Sequence, residues 1–353
     1  MKTLINSEAL KVAANINKKL GGNTVVTANE VHIPDRIPTG SLTLDVVLGG
    51  GWPMNRWVEL VGEASHGKTA LALRTIAANQ QKNPEFTAVW IAAEDFDSKY
   101  AELCGVDTSR VLLVETNSME DAFDAVIQFM ESKAIDMVVI DSLPALVPSA
   151  EDEKHMEEFT VGRGALITNK FFRKVMSATK RDLIESERPV LGMMINQYRM
   201  KIGVMHGDPR TTPGGLGKDY AYSVRCEVKR DDWLEVGTGQ EKRRVGQTIR
   251  VRTIKNKTYP PQQTAYLDFY FADGGVVDAG GYDTGKEIVA LSILNGIVER
   301  RGGWMYYNDR KWQGAQALID SLREEIDLRD ELTTAVMSTL KSTPVLMLSP
   351  DEE

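Results

Sequence analysis

The sequence predicts an α/β fold, with a mostly parallel central sheet, crossover helices, an N-terminal helix and a small α/β C-terminal unit. Three observations predict it. Gly62-Glu63-Ala64-Ser65-His66-Gly67-Lys68-Thr69 fits the phosphate-loop pattern G-x-x-x-x-G-K-[ST]. An apolar run, Trp57–Val61, enters that loop and a helical pattern over 70–79 leaves it, so the dipole of the helix points at the loop. Downstream, short apolar runs alternate with helical patterns, as expected of parallel strands joined by crossovers.

The elements follow in chain order. Ile5, Ala9, Val12, Ile16 and Leu20 form a narrow apolar stripe at helical spacing, ended by Gly21-Gly22. That stripe must be buried, either on the chain's own core or on a neighbouring subunit. Residues 23–38 read as an extended connector and 39–53 as a glycine-rich run into the loop strand. Strands are expected at 88–93, 137–140, 190–195, 223–229, 247–254 and 265–271, and helices at 119–130 and 164–184. Residues 198–217 show no period and hold five glycines and two prolines, a stretch that inside a domain is usually functional or disordered. Beyond residue 277 the pattern changes to a helix at 286–299, a strand–turn–strand at 303–313 and two further helices. The chain thus divides into 1–34, a helix and connector; 35–277, the core; and 278–353, a small α/β domain with a short acidic tail.

Composition narrows the function. At 353 residues, 42% hydrophobic and 26% charged, the chain is an ordinary globular one with room for a large domain plus a small one. A net charge of −8 argues against a generic polyanion-coating surface, though it leaves room for a local basic site. Cys104 and Cys226 form no disulfide framework or metal spacing and fit a reducing cytosol. No apolar run approaches the ~20 residues of a membrane span, and the N-terminal residues lack a signal-peptide core.

The chemistry-bearing residues cluster at predicted strand ends. Lys68 would reach the β- and γ-phosphates of a nucleotide, and Thr69 would offer its hydroxyl to Mg²⁺. Asp141, following four apolar residues, would share the Mg²⁺ shell; the plain alternative is a helix cap. Glu94 is expected to end a strand beside the loop strand, where a carboxylate can activate a water for in-line attack. Asp95 and Asp97 compete for that role. Asn196-Gln197 ends another core strand just before the long loop, where an amide could sense the γ-phosphate. Arg199, Lys201, Arg210, Lys218 and Arg225 make the region locally basic. The open amides of Gly214-Gly215 suit phosphates, so the loop reads as a nucleic-acid grip or a nucleotide lid. Lys255 and Lys257, two apart on a strand, point to one face, either as a solvated edge or as cations delivered to a phosphate.

Taken together, these motifs resemble the RecA-type DNA strand-exchange recombinases along almost the whole chain. The resemblance is carried by TGSLTLD at 39–45, the phosphate loop, Ala93-Glu94, VVIDS at 138–142, NQYRMKIGVMHGDPRTTPGG at 196–215, IKNK at 254–257 and GGWMYY at 302–307. The MKIGVM loop separates the chain from replicative helicases and clock ATPases that share the core. The resemblance implies a P-loop NTPase core of RecA type and a filament of protomers on single-stranded DNA, with ATP and Mg²⁺ between neighbours. It further implies pairing with homologous duplex DNA and DNA-stimulated ATP hydrolysis in a bacterial cytoplasm or nucleoid. Single-strand-binding protein and loaders would be partners, and no membrane. The helix at 1–20 would pack on the next subunit. A DNA-translocating motor or a recombination mediator with little turnover are the rival readings.

Residue by residue, the resemblance assigns Glu94 as catalytic carboxylate, Gln197 as γ-phosphate sensor, and Lys255 and Lys257 as trans-acting cations. Gly62 through Ala70, Asp141 and Ser142 would hold the nucleotide, with Asp97 and Tyr100 near the adenine. The first DNA loop falls near 157–164, with Val161, Gly162 and Arg163. The second falls at 198–217, with Arg199, Met200, Lys201, Ile202, Gly203, Gly214 and Gly215. Asn169 and Arg173 also fall on DNA-contacting positions, and Ile202 would wedge between base triplets. There are departures. The segment after Glu94 is one residue short. Val161 stands where the family has a methionine wedge. Leu166 replaces an arginine, with Arg163 nearby. Asp219 stands at a phosphate-side lysine, with Lys218 adjacent, so that role is not carried over. Such drift suits a bacteriophage-encoded member, whose compartment would be the host cytoplasm.

Overall fold

The structure, a computed structural model, describes residues 5–20, 24–30, 35–149, 162–185, 188–200 and 209–340. Strand β1 (Trp57–Val61) lies inside the central sheet with all its residues buried, Glu59 included. The sheet is completed by β2 (Ala88–Ala92), β3 (Val111–Glu115), β4 (Met137–Asp141), β5 (Leu191–Asn196), β6 (Val224–Val236), β7 (Arg243–Asn256) and β8 (Thr264–Tyr270). The order across its eight strands is β8-β7-β6-β1-β5-β4-β2-β3. From β6 to β3 every neighbouring pair is parallel, while β7 and β8 add an antiparallel flank. In an open sheet of this kind ligands gather at the carboxyl ends of the parallel strands.

The helices are α1 (Ser7–Leu20), α2 (Leu42–Leu48), α3 (Lys68–Lys82), α4 (Ser98–Leu103), α5 (Met119–Ser132), α6 (Arg163–Glu185) and α7 (Gly217–Ala221). Alternation along β1 divides the core. Val58 and Leu60 face α3, where Leu71 and Ile76 meet them. Trp57 faces α5 and α6, where Phe123, Phe171 and Phe172 gather. Trp57 meets Phe171 edge-on at 5.2 Å, and Phe171 stacks on Phe123 at 4.2 Å. Such pairs each add about 0.5–1.5 kcal/mol beyond their buried area.

The C-terminal unit comprises α8 (Thr284–Leu294), an antiparallel sheet of β9 (Glu299–Arg301), β10 (Trp304–Tyr307) and β11 (Arg310–Gln313), then α9 (Gly314–Glu324) and α10 (Ile326–Thr339). Its core of Ile288, Met305, Leu318 and Leu332 also takes in Leu42 and Val46 of α2. A polar clasp reinforces that joint. The buried carboxyl group of Glu287 accepts from Ser41 Oγ at 2.8 Å and from the Leu42 and Thr43 amides at 2.7 and 3.3 Å. Burial pushes its pKa up to about 8.

Several expectations are corrected. The strand ending at Glu94 does not lie beside the loop strand, because β5 and β4 stand between β1 and β2. The glycine-rich run holds helix α2, capped by Ser41 at its start and by left-handed Gly49 at its end. The helix expected at 286–299 stops at Leu294, where Asn295 and positive-φ Gly296 turn the chain into β9. Edge strand β3 and helix α4 had no counterpart in the sequence reading. The arms of the 198–217 stretch are not structureless: Arg199 pairs with Thr211 and Met200 with Arg210. No residue of α1 is buried, so its stripe does not pack on this chain's own core. Among the described residues no helix is long and apolar enough to cross a membrane.

Candidate functional site

The phosphate loop leaves β1 and wraps the N-terminus of α3. Gly62 is required there by contact, since a Cβ would come within 2.1 Å of the Val228 carbonyl oxygen. Gly67 is required by conformation and by contact: its φ is +91°, and a Cβ would lie 2.4 Å from Ile249 Cδ1. At the first turn of α3, Lys68 Nζ donates to the Glu63 carbonyl at 2.6 Å. Burial lowers the Lys68 pKa, while Asp141, Glu94 and Glu63 oppose that shift. His66 is also lowered, first by burial and then by Arg230.

The carboxylates arrive from the ends of β4 and β2. The Thr69 hydroxyl donates to Asp141 Oδ2 at 3.0 Å. Burial raises the Asp141 pKa to about 6, against the pull of the Thr69 hydrogen bond. β2 and β4 are aligned with Ala92 opposite Asp141, and the amides of Ala93 and Glu94 both donate to the Asp141 carbonyl at 3.1 Å. Glu94 is thereby held at the mouth of the site, where its carboxylate accepts from the Ser142 hydroxyl. Glu94 therefore reaches the site from three strands away.

The donor set fits a hydrated divalent ion held through phosphate. One hydroxyl and one carboxylate converge, and among the described residues no group of three or more His, Cys, Asp or Glu could form a protein-only metal cage. That is the arrangement Mg²⁺ accepts when substrate phosphates and waters complete its octahedron. A cavity of about 340 Å³ adjoins the loop and the first turn of α3. It is also lined by Tyr100, Trp233, Gln247, Phe269 and Phe271. Burial raises the Tyr100 phenol pKa. Asp97 caps α4, its Oδ1 accepting from the Lys99 and Tyr100 amides at 2.9 and 3.1 Å. It orients the tyrosine-bearing turn. Trp233, Gln247, Phe269 and Phe271 were not foreseen, because cross-strand pairing, not a local motif, brings them to the loop.

Beside the loop, β5 joins the nucleotide side to the candidate DNA arm. The Gly62 amide donates to the Asn196 carbonyl at 3.4 Å. The Asn196 side-chain amide donates to Glu59 at 2.9 Å and to the Pro213 carbonyl at 3.4 Å. Gln197 follows, its side-chain oxygen accepting from Arg199 at 3.1 Å. Glu59, fully buried, also takes Arg225 at 2.6 Å and lies 3.7 Å from Lys218. Lys218 in turn donates to Thr212 at 2.5 Å and to Asp219 at 2.6 Å. The ammonium beside Asp219 is thus turned into the protein interior and fastens the returning arm of the loop.

Lys255 and Lys257 do share a face. Lys255 donates to the Asp219 carbonyl, and Lys257 to the Tyr220 carbonyl at 2.9 Å, both in α7. Burial, then the Lys257 charge, lowers the Lys255 pKa to about 8. Arg163, Gly162, Arg173, Arg199 and Met200 are exposed. Gly214 and Gly215 adopt φ of +93° and +74° and pack near α6, where Asn169 Oδ1 is buried without a partner among the described residues. Val161, Lys201, Ile202 and Gly203 lie outside the described residues.

The chain is similar to known proteins over most of its length. The profile of the RecA N-terminal domain matches residues 8–276. Protein RecA of a Nocardioides species is 37% identical over 337 residues, covering 94% of this chain and 91% of that protein. Protein RecA of Thermus aquaticus is 35% identical over 342 residues, covering 96% and 95%. Protein RecA of Lactococcus lactis subsp. cremoris is 35% identical over 299 residues, covering 84% and 73%.

Proposed function

The chain belongs to the RecA family, and on that premise we propose how its residues divide the work of an ATP-dependent DNA recombinase. The protein is a DNA-dependent ATPase that forms a filament on single-stranded DNA and carries out homologous pairing and strand exchange. What carries the reading is the constellation of Lys68, Thr69, Asp141 and Glu94, linked through Asn196 to the arm that begins at Arg199.

In this reading the loop amides and Lys68 bind the phosphates of ATP. Thr69 and Asp141 hold Mg²⁺, which neutralises phosphate charge when bound. Glu94, kept in place by Ser142 and the Asp141 carbonyl, accepts a proton from the attacking water. Gln197 exchanges its Arg199 contact for the γ-phosphate, so nucleotide state changes the arm that grips DNA. Lys255 and Lys257 leave the α7 carbonyls to complete charge neutralisation on the adjacent protomer's nucleotide. The exposed stripe of α1 packs on that neighbour. Residues 1–34 thus serve assembly, 35–277 catalysis and DNA binding, and 278–353 form the C-terminal domain. Single-strand-binding protein and loaders are the expected partners, in a bacterial or phage-host cytoplasm.

Lys68→Ala tests the scheme by DNA-binding titration with and without ATP. The variant is expected to lose nucleotide-dependent binding to single strands. Normal strand exchange by that variant would defeat the reading.

A further inference from the structure

The β6–β7 hairpin rises past the end of β1 and overhangs the phosphate loop, as the contacts of Gly62 with Val228 and of Gly67 with Ile249 establish. Its register is irregular at three points, two of them beyond the end of β1. Arg230 pairs with Ile249 and Asp232 with Thr248, so Asp231 is an extra residue. Leu234 pairs with Gly246 and Glu235 with Arg244, so Val245 is extra on the other strand. In a regular strand, residues three apart point to opposite faces. A bulge between them restores them to one face and re-aims the side chains. The two bulges therefore bring Arg230, Trp233, Gln247 and Arg244 to the same face. Ile249 and Gln247 fix which face that is, because both stand against Gly67.

The consequence is an anchored aromatic wall. The Arg230 guanidinium sits 4.1 Å from the Trp233 ring centroid and that of Arg244 4.4 Å away. Phe271 meets the indole edge-on at 6.3 Å. Trp233 lines the same cavity as Lys68, Thr69 and Tyr100. A partly buried indole, fixed by two cations over a phosphate loop, has the rigidity to pack against a purine.

We propose that Trp233 is a nucleotide-contacting residue that packs against the base of the bound nucleoside triphosphate, with Arg230 and Arg244 as the residues that position it. This rests on the reading of residues 62–69 as the triphosphate site. The base gains an aromatic partner supplied by the hairpin, in addition to Tyr100 from α4.

The test is isothermal titration of the full chain in Mg²⁺ with ATPγS and, separately, with inorganic tripolyphosphate, which has no base. Trp233→Ala is expected to weaken ATPγS roughly tenfold, the scale of one lost base–aromatic stack, and to leave tripolyphosphate unchanged. Trp233→Phe should recover most of the loss. Wild-type ATPγS affinity in Trp233→Ala would overturn the proposal. So would an equal loss for both ligands, which would make Trp233 a support of the hairpin alone. Lys68→Ala separates the premise: if it leaves both ligands bound as in the wild type, the triphosphate site itself is misplaced.

Discussion

Replacing Glu59 by leucine should expose how strongly the phosphate-loop strand and the arm beginning at Arg199 are fastened together. Glu59 is 0% exposed and Lys218 1% exposed, while Arg225 is 16% exposed. In the wild type, two carboxylates, Glu59 and Asp219, answer these two cations. Leucine keeps the volume and removes one of them, leaving Lys218 and Arg225 to share Asp219. Breaking a buried pair from one side costs about 3–5 kcal/mol, mostly for the charge left behind. With an m-value near 3 kcal/mol/M, the urea midpoint would fall by roughly 1–1.7 M. Adding Lys218→Met removes the surplus cation, so the double variant should regain more than half of the loss. Equilibrium urea unfolding followed by tryptophan fluorescence reads both. A single-variant cost below about 1 kcal/mol, or a double variant less stable than either single, would refute the argument that these charges are mutually dependent.

Two further outcomes are expected. Glu94→Gln should bind ATPγS as the wild type does while DNA-stimulated hydrolysis falls by about a hundredfold or more, the usual share of a general base; a turnover within threefold of wild type would remove Glu94 from the chemistry. Glu287 makes core stability pH-dependent. Its carboxyl group is ordinarily half-ionised near 4.5 and is raised by burial to about 8 in the fold. The fold therefore favours the protonated form, and its contribution is complete below the unfolded value and lost as pH rises through about 8. Melting temperature should decline between about pH 5 and 8, and the decline should be shallower in Glu287→Gln; parallel curves would contradict the assignment.

What could be read in the sequence follows what is local in the chain. The phosphate loop, its entering strand Trp57–Val61 and the Asp141 strand end were legible because each is a short run with its own periodicity. Helix α2 was not, because Val46 and Val47 look strand-like and the helix is buried on nearly every side; Ser41 and Gly49 were its only local signals. Strand order was not legible either, since apolar runs carry no record of their partners, and Glu94 was placed one strand from the loop when it stands three away. The aromatic wall of the cavity depends on cross-strand register and two bulges, which join residues such as Trp233 and Gln247 far apart in sequence. Lys218 looked like part of a basic loop. Its ammonium instead satisfies Glu59, an acidic residue buried in the strand that feeds the phosphate loop.

The central claim is that DNA held by the arm beginning at Arg199 is coupled through Gln197 to Glu94. Steady-state ATP hydrolysis in Mg²⁺, measured with and without single-stranded DNA, tests it most directly. The account predicts strong stimulation by the single strand. A rate indifferent to DNA, or no hydrolysis at all, would contradict it.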